Sequence, residues 1–436
     1  MSKNKPKTSE QKKKKTDNQI DTSEGNLTLI KNFLFKEFSN NKNDQKDPLF
    51  TEEQRQEISN DRKSIHNFFR VPYNFETSIF YGIVLVLDIF FHYLVIFPMK
   101  TIISIFKKIM KQGELTVEQK VNIILLTIWI VVIFVLKHIN LYSMLSGIHK
   151  SQIKLMFLYN GLEVLDGVFT TFTQQTIDSL YVTVLESSKA NGTKNMLSVA
   201  IDSLIAFFVI LIHTTILFTS VVMIGISMTS KKLSMLPFLL SNNWIEFKQS
   251  ILKKQNLKSM RNIFRDDCFE RVKLYIFAFS VVAEDLASTE FDIEVERKNT
   301  LKWLIIAEFI VDWGKNAFVV KNNDYSPKIF KSFRNRLAAL AWISHEQEDQ
   351  CQYIDLIQRK MGFVMIPLTL LFFKVSIGNI WKNFPIKVAF LITCLLYLLF
   401  LIFYLAIKIF NLHLAQKYYK IFQSEKANKN VEKKND

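Results

Sequence analysis

Apolar residues along this chain gather into long blocks separated by charged ones. Ile79–Phe97, Val121–Ile139, Leu197–Ser227, Met361–Ile380 and Ile386–Ile407 are each close to or above the length of a bilayer crossing. A hydrocarbon core about 30 Å thick takes about 20 apolar residues at about 1.5 Å rise each. The first run is entered through Arg70-Val71-Pro72 and closed by Pro98-Met99-Lys100. The second holds Trp129 and no charge before Lys137, and the third has only Asp202 and His213 as ionisable groups. A short Lys382-to-Pro385 turn separates the last two, which predicts a helical hairpin. The fold class expected is all-α, a polytopic helical membrane protein.

Three further segments are ambiguous. Ile153–Phe172 is long enough to cross but carries Glu163 and Asp166, and Val272–Ala287 is apolar but short. Leu301–Val320 carries Glu308, Asp312 and Lys315. A charge at the bilayer centre costs roughly 2.5–3.5 kcal/mol on insertion scales, so these helices lie at the interface or face a protein interior. Charge bias narrows the choice. Both tails, Lys231–Arg271 and Lys321–Arg336 are basic, and basic segments stay on the cytosolic side. That side assignment requires Ile153–Phe172 to cross, and Val272–Ala287 and Leu301–Val320 to cross together or not at all. The expectation is six transmembrane helices, eight if that pair crosses, with both termini cytosolic.

The expected organisation has three parts. Residues 1–64 form a disordered polar and basic cytosolic tail, since their composition buries too little apolar surface to order the chain. Residues 65–410 form the membrane domain, with a cytosolic amphipathic region at 228–345, and 411–436 form a basic cytosolic tail. The net charge of +16 raises nucleic acid as a partner, but the Lys and Arg residues flank apolar spans, so the partner indicated is the bilayer and not nucleic acid. Thirty-nine Phe against eleven Gly favour broad lipid-facing or interhelix packing over tight small-residue crossings. Cys268, Cys351 and Cys394 are too scattered for a disulfide framework or a zinc site.

Candidate chemistry is sparse. Glu308, Asp312 and Lys315 share a helical face, as do Glu163 with Asp166 and Asp88 with His92. The Glu308 and Glu163 sets read either as an ion or proton relay or as the polar stripe of a cytosol-side amphipathic helix paired with a neighbour. Asp88 with His92 reads, like Asp202 and His213, as a proton path or as polar links between helices worth about 0.6–2 kcal/mol each. Asn243 and Glu246 form a capping-box variant opening an amphipathic helix whose Lys248, Lys253, Lys254 and Lys258 face anionic headgroups. Lys433 and Lys434 stand fourth and third from the end, the pattern of a dilysine retrieval signal for the endoplasmic reticulum. No phosphate loop, GxSxG, HExxH or EF-hand pattern is present, so no catalytic, cofactor or metal residues are assigned and the expectation is a non-enzyme.

Several stretches together resemble one family. They are Arg70-Val71-Pro72 with Glu76, Gly82 and Asp88; Tyr159-Asn160 with Leu162-Glu163-Val164, Asp166 and Asp178; and Ser241-Asn242-Asn243 with Glu246. Glu308, Val311-Asp312 and Lys315 follow, then Arg359-Lys360-Met361-Gly362-Phe363 with Pro367. In this order they resemble the transmembrane anterior posterior transformation proteins, also labelled cytomegalovirus gH receptor-like. The resemblance covers most of 65–375 and leaves out the tails. It implies an integral protein of the endoplasmic reticulum membrane linked to cilium or basal-body assembly, patterning and protection of folding proteins. It implies no catalytic residues. It also implies that Glu163, Asp166, Glu308, Asp312 and Lys315 form one buried polar interface. The function expected is a scaffold with protein partners in or at the membrane, with oligomeric state left open. The alternative is a transporter, channel or lipid-moving protein using the intramembrane Asp, His and Glu residues.

Overall fold

The computed structural model of the chain describes residues 31, 51–110, 114–139, 152–189, 193–229, 248, 254–287, 295–347 and 350–435. Its contacts divide the chain after Arg62. In the first unit, Thr51 and Gln54 cap each other reciprocally, backbone N–H to side-chain oxygen at 3.0 and 3.3 Å. Glu52 and Glu53 in the first turn complement the helix dipole. Helix α1 (Glu52–Phe91) therefore opens inside the stretch expected to be a disordered tail.

In the second unit, α1 passes through a π-helical turn, His92–Ile96, into α2 (Phe97–Ile109). Then come α3 (Val117–His138), α4 (Gln152–Lys189), α5 (Thr193–Thr229), α6 (Leu257–Ala287) and α7 (Val295–Asn322). The remaining helices among the described residues are α8 (Ile329–Gln347), α9 (Gln350–Met361), α10 (Ile366–Asn383) and α11 (Ile386–Asn435). Among the described residues, four helices are long and apolar enough to cross a membrane: Glu52–Ile109, Val117–His138, Met196–Ile226 within α5, and the Ile386–Asn428 part of α11. The protein is a helical membrane protein.

Starting points for the helices are written locally. Thr116 and Gln119 form a capping box at the head of α3, and Asn256 accepts from the Ser259 N–H at 2.8 Å to open α6. The α4–α5 pair is antiparallel, since Thr183 bonds Asp202 while Thr173 and Asp166 both bond His213.

Four expectations are revised or sharpened. The Met361–Ile380 span is broken: α9 stops at Met361, Gly362 takes φ 82°, and α10 starts at Ile366. Every residue from Ile366 to Phe372 is buried, so protein and not lipid surrounds the start of α10. Within 228–345, expected to be a cytosolic amphipathic region, the described helices α6 and α8 turn one face into the main core, with Phe264, Val272, Phe277 and Val281 of α6 and Phe330 and Ala338 of α8. Residues 411–435, expected to be a basic cytosolic tail, are helical as the continuation of α11. Asn411 and Ala415 are buried, Arg334 of α8 sits 3.9 Å over the Tyr418 ring, and Asn335 donates to Glu425 at 3.0 Å. Finally, Asp178 and Arg359 are joined at 2.6 Å, although a crossing confined to Ile153–Phe172 assigns them to opposite faces of the membrane. The cause is the length of α4, whose 38 residues extend roughly 57 Å at about 1.5 Å per residue, far beyond one hydrocarbon thickness.

Candidate functional site

The densest chemistry lies where α6 meets α1 and α7. Arg271, 1% exposed, points its guanidinium fork at Glu76, with both terminal nitrogens 2.9 Å from that carboxylate. Its Nε donates to Asp312 at 2.8 Å. The rings of Phe75 and Phe309 lie 5.3 and 4.2 Å from the guanidinium carbon. A planar, always charged group with donors on its edge suits such a slot, and a lysine ammonium does not. Trp313 Nε1 donates to Glu76 Oε1, the oxygen that Arg271 Nη2 also faces, at 2.6 Å.

One turn away, Lys315 reaches Asp267 at 2.6 Å and Asp312 at 3.5 Å, and Asn316 donates to Asp267 at 2.9 Å. Three carboxylates and two cations thus form one chain of contacts from α1 through α6 to α7. The Asp267 carboxyl is pushed up to about 7 by burial and by the neighbouring Asp312, against the opposing pull of Lys315. Burial and its two carboxylate neighbours act in opposite directions on Arg271, and the carboxylates hold its pKa above the ordinary guanidinium value.

Two smaller sets stand apart. Asp166 accepts from His213 Nε2 at 2.9 Å and from Lys273 at 3.0 Å, and Thr173 shares the other ring nitrogen of His213 at 2.8 Å. Asp88, 1% exposed, binds Lys408 at 3.2 Å and Asn411 at 2.8 Å on α11. Among the described residues no group of three His, Cys, Asp or Glu side chains converges on a metal position.

The polar residues singled out in the sequence are therefore distributed over three sets. Asp312 and Lys315 join α6, Asp166 joins α5 and α6, and Asp88 joins α11. Glu163 and Glu308 lie within electrostatic range of Tyr159. The interface expected between the α4 and α7 charges runs through α6, which supplies Asp267, Arg271 and Lys273 as the opposite partners. Those three were read only as part of a basic, headgroup-facing run or not at all. The usable signal was reciprocal: Asp267 and Arg271 at i, i+4 mirror Asp312 and Lys315 at i, i+3 with signs matched for antiparallel helices. Lys408 and Asn411 were missed because they sit just past an apolar run and looked like its end. Lys248 and Lys254 are exposed; Asn243, Glu246 and Lys253 fall outside the described residues. Lys433 and Lys434 lie on the last turns of α11.

Residues 115–421 match the model of a family described as a eukaryotic membrane protein family. The chain is 26% identical over 343 residues to the mouse "Transmembrane anterior posterior transformation protein 1", covering 76% of this chain and 60% of that protein. It is 25% identical over 322 residues to the "Protein TAPT1 homolog" of Caenorhabditis elegans, covering 73% and 45%. For the Dictyostelium discoideum homologue the figures are 25% over 295 residues, covering 62% and 35%. The chain thus spans about 60% of the length of the mouse relative. No solved structure matches.

Proposed function

We propose, from the premise that this chain belongs to that eukaryotic membrane protein family, that it is a non-enzymatic scaffold of the endoplasmic reticulum membrane. Its role is to hold protein partners in or at the bilayer and so to support folding, trafficking and cilium or basal-body assembly. One observation carries the reading: the buried charges engage each other in closed sets that tie helices together, above all Glu76–Arg271–Asp312–Lys315–Asp267. A buried ion set with every member partnered fixes helix register, while a conduction path needs groups that change partners. The placement in the endoplasmic reticulum and the link to cilia draw on the family resemblance.

The experiment pairs two measurements. Affinity capture of the tagged full chain from solubilised endoplasmic reticulum membranes recovers stable partners, and loss of the chain lowers the abundance of those partners. Reconstituted into proteoliposomes, the same protein gives no proton or ion flux above empty vesicles. Flux that vanishes in Asp88→Asn or His213→Ala overturns the scaffold in favour of a transporter or channel.

A further inference from the structure

Charges deep in the bundle pair with each other, but the arginines in the opening turns of α6 do not. Lys258, Arg261 and Arg265 follow at i, i+3 and i+7 and so share one face of that helix. That face meets α8. The Arg261 guanidinium carbon lies 6.0 Å from the centre of the Phe333 ring, and Arg336, one turn further along α8, stands on the same side of that helix as Phe333. Among the described residues, no carboxylate lies within ion-pair distance of Arg261, Arg265 or Arg336. The terminal nitrogens of Arg265 donate to neutral oxygens, the Lys360 carbonyl at the end of α9 and the Asn262 side chain. Nε of Arg261 and Nε of Arg265 are shut off from solvent and have no hydrogen-bond partner in the protein. A buried polar atom without a protein partner marks a place where something else supplies the bond.

Guanidinium groups gathered without a counter-charge repel one another. Burial, then Arg336, then Arg265 push the Arg261 pKa below the ordinary guanidinium value. An anion relieves that repulsion, and depth decides which anion. Helix α6 runs alongside α1 in the same direction: Phe264 meets Phe75 at 6.1 Å, Arg271 meets Glu76, and Phe279 meets Phe372, whose ring is 5.4 Å from that of Phe90. Phe75 stands one turn before the apolar run that opens at Ile79. Arg261 and Arg265, on either side of Phe264, therefore lie at the border of the hydrocarbon, where lipid headgroups are. Lys254, Lys258 and Arg336 are exposed beside them. A phosphomonoester carries about −1.5 to −2 charge and three strong acceptor oxygens, and guanidinium forks bind such a group bidentately. A phosphodiester, with a single charge and a pair of free oxygens, offers too little for a set of guanidinium groups.

We propose that Arg261, Arg265 and Arg336 bind the phosphomonoester of a membrane phospholipid at the headgroup border between α6 and α8. The exposed Arg336 leaves the site open to the membrane surface, and Lys258 adds attraction from the next turn of α6. The acyl chains stay in the bilayer, so the site needs no cavity for them.

Native mass spectrometry of the full chain in detergent tests this. The phosphomonoester probes are dioleoyl phosphatidic acid and dioleoyl phosphatidylinositol phosphorylated on the fourth ring carbon. Dioleoyl phosphatidylinositol and dioleoyl phosphatidylserine carry a phosphodiester alone. The phosphomonoester lipids are expected to bind about tenfold more tightly than the other pair. Arg261→Gln and Arg336→Gln each lower that affinity about tenfold, and Lys382→Gln, at the far end of α10, leaves it unchanged. Should Arg261→Gln unfold the protein, the exposed Arg336 carries the test, because Arg336→Lys keeps the charge, loses the fork and restores part of the binding lost in Arg336→Gln. Equal retention of all the lipids, or full retention by the arginine variants, overturns the proposal. Equal competition by the deacylated glycerophosphoinositol phosphate makes the ligand a free phosphate ester, and equal competition by a phosphoserine peptide makes it a phosphorylated protein. Either result overturns the membrane source.

Discussion

Helices α11 and α6 invert the usual rule of protein interiors. In the most apolar stretch of α11, 6% of residues are buried, and Leu391, Leu395, Leu398, Ile402 and Phe403 are exposed. By contrast α6, with Asp267, Arg271 and Lys273 along its length, places its charges in the centre of the protein. In water this arrangement is unfavourable twice over, since apolar area stays wet and charges are desolvated. It becomes coherent when hydrocarbon surrounds α11, because leucine gains nothing by leaving lipid while charges must find each other. The contrast identifies the solvent of each helix.

The largest effect is expected at the centre of α6. Arg271→Met removes the cation that serves Glu76 and Asp312 together, leaving Asp312 buried beside the remaining Lys315. Breaking a buried ion pair on one side costs about 3–5 kcal/mol. Thermal unfolding in detergent should register a large fall in Tm, with loss of the chain from cells. An unchanged Tm means that the guanidinium slot carries no stability.

Next in size is the lipid face. Leu398 is 54% exposed near the middle of the α11 apolar stretch. Leu398→Lys should cost roughly 3 kcal/mol of insertion, read as loss of membrane-integrated protein in a glycosylation-reporter assay. Leu398→Ala should change little. If the lysine variant integrates as well as the wild type, water and not lipid faces α11, and the comparison between the two helices fails.

A third test uses pH. Asp267 has its carboxyl raised to about 7 in the folded chain, against about 3.9 when unfolded. Between these values the folded state binds the proton more readily than the unfolded one. Stability therefore falls as pH rises from about 4 to about 7, and is flat for this group outside that window. Asp267→Asn, a neutral mimic of the protonated acid, should flatten this part of the Tm–pH curve. A curve with the same slope as the wild type assigns the dependence to other groups.

The contrast also explains what the sequence carried and what it hid. Long apolar runs without charge declare themselves because hydrocarbon tolerates nothing else, so α1, α3, α5 and α11 were legible. Buried charges do not declare themselves, because a charged helix paired inside a protein has the composition of one lying on a surface. Asp312 and Lys315 could be picked out as a face, but their partners Asp267 and Arg271 lie 41 to 48 positions earlier, inside a segment whose lysines drew the reading toward lipid headgroups. The break at Gly362 was hidden for a related reason. Gly362-Phe363-Val364-Met365 is apolar enough to pass as helix, and only the hydrogen bond from the Met365 N–H to the Gln358 side chain and the positive φ distinguish it.

The smallest effect is expected at one neutral-donor link of the α4–α5 hairpin. Thr183 donates to Asp202 across the two helices and also reaches the Ser179 carbonyl at 3.0 Å. Thr183→Val keeps the volume and removes the link. Interhelical hydrogen bonds of this kind average about 0.6 kcal/mol, because the chain separated within the membrane finds substitute partners. Arg271 has no such substitute, since its carboxylates come from helices that must pack before the slot exists. The two variants compared in the same detergent should therefore differ severalfold in their loss of stability. Equal losses would mean that polar strength is spread evenly across the bundle, and that α6 holds no special place in it.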